Sequence, residues 1–239
     1  REAARVSRAA ALRLTVSRGA GPPGLAPRGE APPTVVIAAS TLPGFPPALY
    51  ERGLSAVTAD ARRDERASTA GIKSLAYTEA IVALMRARDA GADEAIFLDT
   101  EGHISEASAS NLFVVHDGAL VTPPLSCGVL PGITREAVME LAMALGAEVI
   151  ERPVEPRDLA AAHEAFLTSS LRGVAPLVRV DGRVMGAGAV GPLTRELLRA
   201  YDALVERECQ PAASHRGDAA SATSEEDGAG APTASERAR

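Results

Sequence analysis

Three groups of residues in this 239-residue chain could do chemistry together. Lys73 is its sole lysine, and the other cationic side chains are arginines. Arginine does not form a Schiff base, so any step that needs a side-chain amine has Lys73 and no substitute. Tyr77 follows four positions later, on the same face if a helix has begun by then. The second group is the stretch Glu106 to Arg135, EASASNLFVVHDGALVTPPLSCGVLPGITR. It delivers a carboxylate, then two β-prone runs around an Asp117-Gly118 turn, a Pro-rich loop, and a helix start at Gly132-Ile133-Thr134. Backbone N–H groups at a helix start are unpaired and have the positive end of the macrodipole behind them, which suits a phosphate. The third group is the hydroxyl run Thr168-Ser169-Ser170. Each has a plainer reading when taken alone: a solvated lysine, a core tyrosine, a strand-end glutamate, an ordinary hairpin with a capped helix, an ST-turn.

The elements that must hold these residues can be read along the chain. REAARVSRAA reads as the end of a helix, and Ala11 to Gly19 alternates as a strand with Leu12, Leu14 and Val16 on one face. A Gly/Pro-rich loop leads to a second strand, Pro33 to Ser40, and a turn-rich connection leads to a third around Ser55 to Thr58. The charged segment after it reads as a link between two domains. From Lys73 apolar residues recur at Leu75, Ile81, Val82, Leu84 and Met85, a helix closed by Gly91. A strand, a Glu101-Gly102 turn and a further strand then carry Glu106. After the helix that ends near Gly146 come a strand, a short helix, a strand into Thr168 to Ser170, a hairpin over Asp181-Gly182, and a closing amphipathic helix. From about Cys209 almost no large apolar residue remains, and such a tail cannot offset its chain entropy, so disorder is expected there. The division expected is an incomplete N-terminal small domain over 1–62, a linker over 63–72, a large domain over 73–208, and the tail over 209–239.

Composition narrows the function. Hydrophobic residues make up 46% of the chain, enough for a sizeable core, but aromatics are only 3% and Trp is absent, so Ala, Leu, Val and Ile must fill it. A net charge of −6 gives no electrostatic case for nucleic acid or an anionic membrane surface. Cys127 and Cys209 lie far apart, and the four histidines have no ligand spacing. Neither a disulfide framework nor a metal site is expected, and a cytoplasmic location fits.

Glu106, Ser108, Asn111, Leu112, Phe113, Leu120, Thr122, Leu130, Gly132, Ile133 and Arg135 fall in the order and spacing of the class IV aminotransferase signature, and the likeness extends from roughly Ala11 to Glu206. The chain thus resembles the pyridoxal-phosphate enzymes of fold type IV. That resemblance implies an α+β architecture: a large domain with a mixed, barrel-like β-sheet core and flanking helices, plus a small α/β domain. It also implies pyridoxal 5'-phosphate as cofactor and a homodimer. In this family Lys73 would hold the cofactor as a Schiff base and move the substrate's α-proton. Tyr77 would contact the cofactor ring oxygen and Glu106 would face the pyridine nitrogen, keeping it protonated. Leu130 would lie against the ring, Ile133 and Thr134 would donate to the phosphate, and Ser169 and Ser170 would form a second phosphate-side turn. Nothing before Ala11 resembles the family's N-terminal half-domain, so the small domain is expected to be incomplete.

The likeness also bears on activity. D-amino-acid aminotransferases carry an Arg-x-His carboxylate trap where this chain reads Pro23-Gly24-Leu25, and branched-chain aminotransferases usually show a different strand in place of RLTVSRG. Ser17-Arg18-Gly19-x-Gly21-x-x-Gly24 and SSLRGV resemble aminodeoxychorismate lyase. That activity, release of pyruvate to leave 4-aminobenzoate on the folate route, is the expectation. An aminotransferase using branched-chain or D-amino acids, or a fragment that keeps only the fold, are the alternatives.

Overall fold

The computed structural model describes residues 10–26, 31–41 and 44–209. The helix end expected over REAARVSRAA falls outside the described residues except for Ala10, which begins a strand, and the disorder expected beyond Cys209 falls outside them as well. Two strands, β1 (Ala10–Ser17) and β2 (Thr34–Thr41), pair antiparallel as a separate ladder. Leu12, Leu14, Val16, Val35 and Ile37 share one face of it, as the register Leu14↔Ile37 and Val16↔Val35 requires, and all five are exposed.

A second, nine-stranded sheet holds everything else. Its strands are β3 (Leu54–Arg63), β4 (Glu94–Asp99), β5 (Ile104–Ala107), β6 (Asn111–His116), β7 (Ala119–Thr122), β8 (Val149–Glu151), β9 (Glu164–Ser169), β10 (Gly173–Val180) and β11 (Arg183–Val184). The order is β5-β4-β3-β10-β9-β6-β7-β8, with β11 on β10. The sheet is mixed: β3 runs parallel to both β4 and β10, and β7 parallel to β8, while the remaining pairs are antiparallel. Both predicted hairpins form over Asp-Gly turns, with φ 50° and 82° at Asp117 and Gly118, and 50° and 76° at Asp181 and Gly182. Two successive left-handed residues match the twist of the strands they join, which is why Asp-Gly suits this turn.

Three sequence expectations need correction. Leu54–Arg63 is not part of a small N-terminal unit. It is a central strand of the large sheet, because its alternate residues Leu54 and Ala56 are needed in the main core. The connection before it contains a helical turn, α1 (Pro47–Arg52), started by Pro47 and packed through Leu49 and Tyr50 onto that core. The helix expected from Lys73 begins only at Thr78: α2 spans Thr78–Asp89, and Gly91 follows at φ 76°. It buries Ala80, Ala83 and Ala87, not its larger residues; Ile81 and Met85 are more than half exposed. Alanines let the helix approach Ala95 and Phe97 of β4 closely.

The sheet is buried on both faces. Along β6, Leu112 and Val114 enter one core with Leu54, Ile96, Ile104, Leu167 and Leu177. Phe113 and Val115 enter another, beneath α3 (Ile133–Ala144) and α5 (Pro192–Glu208), where Phe113 stacks on Phe166 at 5.0 Å. The short helix α4 (Pro156–Ala161) adds Leu159 to the first core. No helix among the described residues is long and apolar enough to cross a membrane.

One buried carboxylate ties helix to sheet. Glu164 of β9 accepts from the backbone N–H of Leu193 (3.2 Å) and Thr194 (2.8 Å) and from the Thr194 hydroxyl (2.7 Å), capping α5. A Cβ on Gly191 would lie 1.9 Å from the Glu164 carboxyl carbon, so only glycine permits this approach. Glu164→Ala should cost about 3 kcal/mol, a fall in Tm of roughly 6–12 °C for a chain of this size. Thermal melts check this; a change under about 1 °C would show that the cap is dispensable.

Candidate active site

Lys73 lies in the turn ahead of α2, and local bonds shape that turn: Ser74 N–H donates to the Ile72 carbonyl and Tyr77 N–H to the Leu75 carbonyl. This turn, not helical spacing, brings Lys73 Nζ to 3.0 Å from the Tyr77 hydroxyl. Both residues line a cavity of about 290 Å³ that also takes in Glu106, Leu130, Ile133, Thr134, Ser169 and Ser170. All eight residues singled out from the sequence therefore meet around one space, although they come from five separate segments.

Glu106 sits at the inner wall, on β5, and is buried. Its Oε2 accepts from Leu130 N–H (2.9 Å) and Asn111 Nδ2 (3.3 Å), and its Oε1 faces Arg63 Nη2 at 3.0 Å. Burial raises its pKa above the usual carboxylate value, and Arg63, the Leu130 N–H and Lys73 pull against that rise. Asn111 also donates to the Leu130 carbonyl at 2.9 Å, so one amide fixes both the carboxylate and the loop that covers it. A Cβ on Gly132 would sit 2.1 Å from Asn111 Oδ1. Glycine is required there for the loop to close over Asn111.

The helix start predicted at Gly132 forms, and α3 has no side-chain cap. Its first turn lines the cavity, so the site's strongest feature for an anion is backbone. Ile133 is exposed, whereas Thr134 is buried with its hydroxyl 3.3 Å from that of Tyr201 on α5. Across the cavity the β9–β10 turn carries Ser169 and Ser170, and Ser169 Oγ accepts from Arg172 N–H at 3.3 Å. Arg172 in turn pairs with the buried Glu94 at 2.9 Å, and Glu94 also accepts from the Ser108 hydroxyl. That pair, buried on the Glu94 side, anchors the turn to β4.

Sequence reasoning passed over Arg63; Asn111 stood in the signature without a role of its own, and Thr168 was grouped with Ser169 and Ser170. Arg63 ends β3 inside the stretch read as a linker, of which Asp64, Ala67 and Thr69 to Ile72 also line the cavity. Nothing local marks Arg63, since its partner lies across β4. Thr168 Oγ1 is buried beside the cavity without a hydrogen-bond partner among the described residues, the kind of atom a bound ligand completes. Pro23-Gly24-Leu25, in contrast, is not among the cavity's lining residues, and Leu25 is fully exposed.

Together these donors suit a ligand with an anionic phosphate, for the uncapped helix start and the hydroxyl turn, and a protonated ring nitrogen, for Glu106. An amine within reach completes the set. A mixed sheet with such a site defines a class of protein, and comparison names it. Residues 1–180 match the model of amino-transferase class IV, and the chain belongs to that family. A putative branched-chain-amino-acid aminotransferase of Methanocaldococcus jannaschii is 39% identical over 191 residues, 80% of this chain and 65% of that protein. The branched-chain amino acid aminotransferase of Thermobaculum terrenum, solved in its PLP form, superposes with a TM-score of 0.67 at 34% identity, covering 74% of this chain and 59% of that one. A putative 4-amino-4-deoxychorismate lyase of Legionella pneumophila gives 0.74 at 26% identity, covering 80% and 69%. The chain thus spans about 65% of the archaeal relative's length.

Proposed function

We propose that this chain carries the catalytic site of a pyridoxal 5'-phosphate-dependent aminotransferase that takes amino acids with branched apolar side chains. The observation that carries the reading is the placement of the sole lysine, Lys73, 3.0 Å from Tyr77 on the wall of the cavity that contains Glu106 and the uncapped start of α3. The choice of aminotransferase rests on the identities over superposed structures, 34% for the Thermobaculum terrenum branched-chain aminotransferase against 26% for the lyase.

Bound in this cavity, the cofactor supplies an aldehyde for amines and an electron-accepting ring. Every other part of the chemistry belongs to the chain. Lys73 would hold the cofactor through Nζ, and the same amine would serve as the base for the proton on the substrate α-carbon. The Tyr77 hydroxyl orients Nζ for that transfer. Glu106 would accept the ring N–H, and Arg63, 3.0 Å from its Oε1, holds the carboxylate in place. The N–H groups of Ile133 and Thr134, with Thr168, Ser169 and Ser170, hold the phosphate, so the reacting end stays fixed while the substrate exchanges.

Organisation enters the same reading. The β1–β2 ladder is the described part of a small unit, and residues from β3 to α5 form the cofactor-binding unit. Exposed Ile81, Val82 and Met85 on α2 support a homodimer, which would withdraw them from water. Sedimentation should return twice the chain mass.

The lyase reading retains one specific support: Pro23-Gly24-Leu25 offers no side chain to grip a second carboxylate, which transamination needs and elimination does not. One assay separates the two. With cofactor added, leucine and 2-oxoglutarate should yield glutamate, and aminodeoxychorismate should yield no pyruvate. Pyruvate with 4-aminobenzoate, and no glutamate, would transfer the assignment to the lyase. Neither product, with cofactor bound, would confine the chain to cofactor binding.

A further inference from the structure

Outside the cavity, the turn between β4 and β5 brings together a second set of reactive groups. We propose that Asp99, His103 and Cys127 form a binding site for a thiophilic divalent cation of the zinc class, with Glu101 as a fourth ligand from the solvent side. The ligand atoms of Asp99, His103 and Cys127 all lie within 4.8 Å of one another. Asp99 and Cys127 are buried and His103 is half-buried, so the cluster opens outward at the histidine.

The geometry is that of a prepared site. Asp99 Oδ1 accepts from the backbone N–H of Glu101 (3.0 Å) and His103 (2.8 Å), which orients the carboxylate. Oδ2 is left facing His103 Nδ1 at 3.3 Å. Tetrahedral zinc with bonds of about 2.0–2.1 Å to nitrogen and oxygen places those two atoms about 3.3 Å apart. A sulfur at about 2.3 Å needs a separation of about 3.5 Å from its neighbours, so from at most 4.8 Å the cysteine side chain closes in by no more than about 1.3 Å. Glu101 Oε2 is already 3.8 Å from His103 Nδ1 on an exposed, adjustable side chain.

Charge favours a cation as well. The Asp99 carboxylate lies inside the cluster and that of Glu101 stands 3.8 Å from His103 Nδ1. The nearby guanidinium groups are committed elsewhere, Arg63 to Glu106 and Arg66 to Glu65. A dication would offset the buried carboxylate and a thiolate together, and the mixture of sulfur, imidazole and carboxylate favours zinc over magnesium or calcium. It would also act as a clasp. Cys127 ends the 3-10 turn Leu125–Cys127, three residues before the Leu130 N–H that Glu106 accepts. Metal binding would tie that loop to the β4–β5 turn and steady the wall of the cofactor cavity from behind.

The full chain, incubated with zinc chloride and dialysed, should retain about one zinc per chain by elemental analysis. Cobalt in its place should give a sulfur-to-cobalt charge-transfer band in the difference spectrum. Cys127→Ser and His103→Gln should each lose the bound metal, at least tenfold in affinity, while Cys209→Ser, which alters the other cysteine, should keep it. His103→Gln changes only a half-buried turn residue, so with an unchanged circular dichroism spectrum it reports binding and not folding. Failure of the parent chain to retain zinc would overturn the site. So would retention by both ligand variants, or loss in Cys209→Ser.

Discussion

Lys73→Ala should abolish the visible absorbance of lysine-bound cofactor and lower turnover by about 10⁴-fold or more, equivalent to roughly 5.5 kcal/mol of barrier. The size of the effect follows from two tasks resting on one atom. In the proposed function Nζ would both attach the cofactor and carry the α-proton, and the chain contains no other lysine to take over either. The substitution should leave folding nearly intact, because Lys73 is exposed and its one side-chain hydrogen bond is to Tyr77. A small external amine should restore part of the proton transfer without restoring the attached band. An unchanged spectrum in the variant would remove Lys73 from the account.

Glu106→Gln should lower kcat by about 10²–10³-fold while cofactor still binds and its absorbance band persists. Glutamine can still accept from Leu130 N–H and Asn111, so the wall of the cavity survives. What it cannot do is stabilise a protonated ring nitrogen, and the loss should fall on kcat more than on KM. The carboxylate also leaves a signature in the cofactor-free protein. Burial raises the Glu106 pKa in the folded state, so its contribution to stability is present in acid and lost as pH rises through that raised value. The glutamine variant does not titrate and should lose less stability over that interval. Melting temperatures of both cofactor-free forms across pH check the sign.

Much of the fold was legible because local signals agree with it. Both Asp-Gly hairpins, the helix start at Gly132 and the strand carrying Glu106 were each marked by turn residues and apolar runs. The errors share a cause: they concern what an element packs against. The pattern along α2 showed large apolar residues at helical spacing, yet the sheet accepts only its alanines. Leu54–Arg63 looked like an end strand, but its neighbours β4 and β10 lie about 40 and 120 residues further along the chain. The site was legible to the same degree. Residues inside the contiguous signature and the hydroxyl run could be named, whereas Arg63 gains meaning only across strands, where it meets Glu106. The Asp99–His103–Cys127 cluster is the extreme case, since Cys127 lies 24 positions after His103 and no short ligand spacing brings the cysteine in.

The central claim is that Lys73 is the residue that binds pyridoxal phosphate in this cavity. Borohydride reduction of the cofactor-loaded chain, followed by digestion and mass spectrometry, tests it most directly. The peptide containing Lys73 should carry one phosphopyridoxyl group, and no other peptide should. Label on the chain's terminal amine, or none on any peptide, would contradict it.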